Sequence, residues 1–141
     1  MEKAWNNLCF GTPPSQDRLR LAVFVKKWPV GGVPGGLERH ALTLHRDLAR
    51  RGHVVHVYTM SPGPQQPPHN GTSNETQLID GNLAVHFFPP TPSNTFDHGK
   101  ALRAFMEHNA SEPFHVVHSE SVALPHWRAP AIAAPLVATW H

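Results

Sequence analysis

A run of β-formers, a glycine-rich turn and an amphipathic helix follow one another between residues 19 and 52, and a second apolar run begins at once. Nothing else in the chain constrains its fold as strongly. A connection that contains a helix is a crossover, so the strands on either side lie parallel in one sheet. The first run, Leu19 to Val25, reads as a buried strand. In the helix, Leu37, Ala41, Leu44, His45 and Leu48 recur at steps of three and four and share one face. Arg50 and Arg51 crowd the last turn, where the helix dipole favours cations. Gly52 sits where a helix stop is expected.

Further strands are expected at Val54–Thr59, Leu83–Phe88, Phe114–His118 and Pro135–Trp140. A second helix is expected over Phe96–His108. Ser121–Ala134 is broken by Pro125 and Pro130 and forms at best a short helix. Ser61–Gly81, rich in Pro, Gly, Asn, Gln and Ser, reads as a long surface loop. Residues 1–18 are polar and read as a flexible leader. Strands alternating with helices predict an α/β fold, a doubly wound, mainly parallel sheet covered on both faces. The last apolar run reads as a buried strand with no helix after it, and the chain reads as the front part of something larger.

Composition excludes several classes. One cysteine, Cys9, rules out an internal disulfide. A formal charge of +2 without a dense basic patch argues against nucleic-acid binding. The first twenty residues hold no apolar run of seven, and a signal peptide needs about 7–15. The expectation is a cytoplasmic chain in which the acceptor patterns for N-glycosylation at Asn70, Asn74 and Asn109 stay silent. Arg46, Arg50 and Arg51 leave open a peripheral contact with an anionic membrane.

The turn Gly31–Gly36 lies between the first strand and the first helix. Glycine lets backbone approach an anion closely, and a helix start presents free N–H groups to it. Gly35 and Gly36 are therefore candidates to face a phosphate or pyrophosphate. The spacing is not G-x-G-x-x-G, and the second strand ends in Tyr58-Thr59-Met60 without an acidic residue for a ribose. No Lys follows Gly36, so a P-loop is excluded.

The chain has 12 histidines, two pairs of them in His-Val-Val-His runs: His53 with His56, and His115 with His118. On a strand, residues three apart point to opposite faces, so neither pair shares a metal. No metal site is expected. His118 and His141 end the fourth and fifth strands, with Glu120 beside the former, at the carboxyl rim where such sheets bind ligands.

Four segments carry a resemblance. They are Gly35-Gly36-Leu37-Glu38-Arg39-His40, the passage Leu48 to Val57, Phe114 to His118, and Leu136 to His141. Together they resemble the N-terminal domain of retaining glycosyltransferases of family 4, which have the GT-B architecture. The similarity spans residues 19–141 apart from the 60–82 loop. The resemblance implies an incomplete, Rossmann-like N-terminal domain that binds mainly the acceptor, with the C-terminal donor domain absent. It implies a nucleotide-sugar co-substrate, UDP- or GDP-linked, an unknown acceptor and no other cofactor. It places Gly35 and Gly36 at the donor diphosphate and His141 at the reaction centre. Glu38, Arg39, His40, His118 and Glu120 become acceptor- or sugar-binding residues. The family often has His-x-His where this chain has His118-Ser119-Glu120. Half a cleft cannot place countercharge around a departing diphosphate, so this chain alone is expected to be inactive. The alternative is a non-catalytic α/β module that binds a phosphate or a sugar. Acceptor choice would sit partly in the loops Lys26–Pro34 and Pro89–Asn94.

Overall fold

The computed structural model describes residues 18–29, 33–62, 76–79 and 81–139. Six strands form one sheet: β1 (Arg20–Phe24), β2 (Val54–Met60), β3 (Thr76–Ile79), β4 (Leu83–Phe88), β5 (Val116–Glu120) and β6 (Leu136–Thr139). Their order is β3-β4-β2-β1-β5-β6. Only β3 is antiparallel, against β4. The remaining pairs are parallel, as the crossover argument requires.

Helix α1 (Gly36–Arg50) covers one face and α2 (His98–Ser111) the other. Period-two alternation divides the core accordingly. Val23, Val55, Val57, Leu83 and Val85 pack with Ala41 and Ala49 of α1. Ala22, Phe24, Tyr58 and Phe88 pack with Leu102 and Phe105 of α2. Phe24 stacks on Tyr58 at 5.1 Å, with Phe105 edge-on at 5.7 Å. The face that α1 buries is narrow. Ala41, His45 and Ala49, four apart, are fully covered, while Leu37 stays exposed.

The end of α1 shows why Gly52 is where it is. The His53 N–H donates to Leu48 and the Gly52 N–H to Ala49, a Schellman closure. This closure needs the φ of +98° that Gly52 adopts.

Three expectations are corrected. The 61–81 segment is not all loop, because Thr76–Ile79 forms β3. Thr-Gln-Leu-Ile is a β-prone run, and Asp80-Gly81 is a hairpin dipeptide, with Gly81 at φ +73°. The strand placed at 114–118 lies at 116–120. His118 is therefore in the middle of β5, paired with Val23 and Val137, and not at its end. The two polar residues that follow continue the ladder because their side chains find partners inside. The last strand is not buried: Leu136, Val137 and Ala138 are exposed, because β6 is a sheet edge. The proline-broken segment forms a short 3₁₀ helix, His126–Ala131, as expected.

The first histidine of each His-Val-Val-His run has a backbone role. His53 Nδ1 accepts the Leu19 N–H at 3.2 Å, and His115 Nδ1 accepts the Arg20 N–H at 2.8 Å. Each stands just before the strand that flanks β1, so β1 is held at its entry from both sides.

Candidate functional site

The chain runs outward from β1 to β2 and β4, then returns to place β5 on the other side of β1. Between β1 and β5 the winding reverses. A crevice opens at such a point beyond the carboxyl ends of the strands. A cleft of about 420 Å³ lies there, lined by Lys26 and Lys27 after β1, Thr91 and Asn94 after β4, and Val122 after β5. Asp97 and His98 at the start of α2 form its wall. The Asp97 carboxylate caps α2 by accepting the Lys100 N–H at 3.0 Å. The loop Thr91–Asn94 is closed by the Asn94 N–H donating to the Thr91 carbonyl, with Asn94 at φ +58°. Both loops that the sequence associates with acceptor choice thus contribute to one cleft. Asp97 and His98 were not among the sequence candidates. The only signal for them was an N-cap residue type before a helical stripe.

On the α1 side of the sheet a second group converges. Glu120 ends β5 with its side chain fully buried, and its Oε1 lies 3.4 Å from His45 Nε2. His118 Nδ1 is 3.8 Å from the same oxygen, and its Nε2 is hydrogen-bonded to Thr139 Oγ1. The His45 and His118 rings meet edge-on at 5.4 Å. His45 Nδ1 is buried without a hydrogen-bond partner. His118 and Glu120 are therefore brought together, but beneath α1. The sequence reading put His45 on the inner face of α1, and its partner is visible only in three dimensions.

The glycine turn has a more exact geometry than its composition suggests. Gly35 is the N-cap of α1, and its N–H donates to Glu38 Oε2. The helix start thus already holds a carboxylate. A Cβ on Gly35 would lie 2.6 Å from that oxygen, whereas a Cβ on Gly36 would meet nothing within 4 Å. The space over Gly36 is open. Arg39 and His40 are exposed, and His40 borders a shallow groove with Arg46, Asp47 and Arg50 on the outer side of α1. Arg51 pairs with Asp47 at 2.8 Å. His141 lies outside the described residues, as do Asn70 and Asn74. The side chain of Asn109 accepts the Phe114 N–H at 2.9 Å. Among the described residues no helix is long and apolar enough to cross a membrane.

The comparisons with known proteins bear on this geometry. The model of "Glycosyltransferase Family 4" matches residues 34–141, from the glycine turn through β6. The chain belongs to glycosyltransferase family 4. A search of curated proteins finds no match. Among solved structures, sucrose-phosphate synthase from Thermosynechococcus elongatus matches 88% of this chain with a TM-score of 0.66 at 16% identity. At that identity the likeness shows the fold alone, a Rossmann-like α/β domain with a mainly parallel sheet. The family 4 chain spans 33% of that structure's length.

Proposed function

We propose that this family 4 domain is the acceptor-side part of a glycosyltransferase that takes sugar from a UDP- or GDP-linked donor and transfers it with retention. The observation that carries the reading is the position of the cleft. It lies at the winding reversal and is lined by residues after the parallel strands β1, β4 and β5, together with Met60 of β2; all but Lys26 and Lys27 fall in the family-matched segment. Lys26 and Lys27 supply positive charge to an acceptor or its phosphate, and Asp97 and Asn94 supply hydrogen-bond partners for hydroxyls. Gly36 offers an uncrowded approach to the start of α1 for the donor diphosphate. His141 is the residue proposed at the reaction centre. Glu120 and His45 act from below by fixing His118.

The donor site proper belongs to a second domain in this reading. The 141-residue chain then binds ligand without turnover. The reading locates the enzyme in the cytoplasm, with Arg46 and Arg50 turned to any anionic membrane it meets. Saturation-transfer NMR with UDP- and GDP-sugars, and with simple sugar acceptors, tests binding. A coupled assay tests transfer. Ligand binding that Lys27→Ala weakens, with no transfer, supports the proposal. Clear transfer dependent on His141 overturns the inactivity of this chain alone. The absence of binding by any nucleotide sugar or sugar overturns the acceptor-side reading.

A further inference from the structure

Three histidines that do not line the cleft converge on the α2 side of the sheet: His56 within β2, His86 within β4 and His108 in the last turn of α2. His56 Nδ1 and His86 Nε2 are 2.8 Å apart. The His86 and His108 ring centres are 4.8 Å apart. One ring nitrogen from each of the three lies within 4.8 Å of the others. We propose that His56, His86 and His108 form a binding site for a borderline divalent transition-metal cation, Zn²⁺ first among them. This inference is independent of the glycosyltransferase reading.

The donor set fits the chemistry. Three imidazoles with a position left for water is a common zinc environment. A tetrahedral zinc with bonds of about 2.0–2.1 Å holds its ligand nitrogens roughly 3.3–3.4 Å apart. The separations here bracket that value, so small ring rotations suffice. Metal ligation needs neutral imidazole. Burial, with Arg20 and His108 nearby, holds His56 down to about 4, and burial with the other two histidines holds His86 down to about 3. Both rings are thus neutral in neutral solution. Arg20, whose charge acts on His56, is paired with Glu112 at 2.6 Å, which offsets its repulsion of an incoming ion.

The surroundings hold the rings in place. Tyr58 O–H and His108 Nδ1 are 2.7 Å apart, and such an outer contact fixes the orientation of a ligating ring. Phe114 lies edge-on to His56 at 5.4 Å, and Tyr58 stacks on His86 at 5.0 Å. His86 is almost wholly buried, while His56 and His108 are half-exposed, so an ion enters from their side. The proton shared between His56 and His86 must move to an outer ring nitrogen of one of them before both can ligate. No net proton is released by that tautomeric shift.

The test is titration of the 141-residue chain with Co²⁺ and then Zn²⁺, followed by calorimetry and visible absorption. The expected result is one Co²⁺ per chain with tetrahedral absorption bands, displaced by one Zn²⁺. His108→Ala and His86→Phe should each weaken binding at least tenfold, while His126→Ala leaves it unchanged. Circular dichroism checks that each variant folds. Imidazole ¹H–¹⁵N spectra of the unmutated chain report the ligating rings even if a variant does not fold. Absence of stoichiometric binding overturns the proposal. So does binding that survives His108→Ala and is lost in His118→Ala, which would assign the metal to the group under α1.

Discussion

Lowering the pH from 7 to 5 in the absence of metal should destabilise this domain by about 3 kcal/mol. An unfolded histidine takes up a proton near pH 6.5. In the folded chain His86 resists protonation down to about 3 and His56 down to about 4, because both are withdrawn from water. The unfolded state therefore binds more protons throughout this interval. The stability contributed by the neutral rings is complete above pH 6.5 and is lost as pH falls towards those values. Each ring loses about 1.4 kcal/mol per pH unit once well below 6.5, or about 2 kcal/mol between pH 7 and 5. His86 is nearly buried and contributes that amount. His56 is partly solvated, and screening reduces its share to about 1 kcal/mol. Buried Trp28 gives a fluorescence signal for urea unfolding with EDTA present. His86→Phe keeps a stacking ring beside Tyr58 and should remove about two-thirds of the pH dependence. A loss under 1 kcal/mol in the unmutated chain, or an unchanged slope in His86→Phe, would refute the reasoning.

Other consequences are open to direct measurement. His45→Leu removes one partner of the buried Glu120 carboxyl, which keeps His118 at 3.8 Å, and should cost about 1–3 kcal/mol in urea unfolding; adding Glu120→Leu should recover most of that loss. Additive single losses would deny that the two act as a unit. Gly52→Ala forces a side chain into φ +98° and should lower stability by about 1–2 kcal/mol, read as a shift in thermal midpoint. Gly36→Ala meets open space and should be neutral or stabilising by up to about 1 kcal/mol. Gly35→Ala should instead displace the Glu38 carboxylate and cost about 1 kcal/mol, and equal melting curves for the two variants would contradict this.

What could be read without coordinates was local. The β1-α1-β2 unit follows from periodicity, and Gly52 from the stop signal that only a positive φ explains. β3 was missed because a compositional argument over 61–81 outweighed Asp80-Gly81, a stronger short-range signal. β5 was placed two residues early because Ser119 and Glu120 look like strand-end polar residues. A polar side chain reads so only until a partner such as His45 is known, and that partner is 75 positions away. The histidine groups were illegible for the same reason. Testing His56 against His53 asks about neighbours in sequence. The neighbours that matter come from β4 and α2, and the order of strands in a sheet is not written in any one strand.

The two imidazoles at the entry to β1 carry a consequence for how the chain assembles. One tie closes 34 residues and the other 95. The longer closure costs roughly 0.9 kcal/mol more in chain entropy. β1, which precedes both of its neighbours in the chain, is thus half-secured early, by His53, and its second fastening waits for His115. Until then β1 has an open flank, and this early segment is the one most exposed to wrong pairing during synthesis.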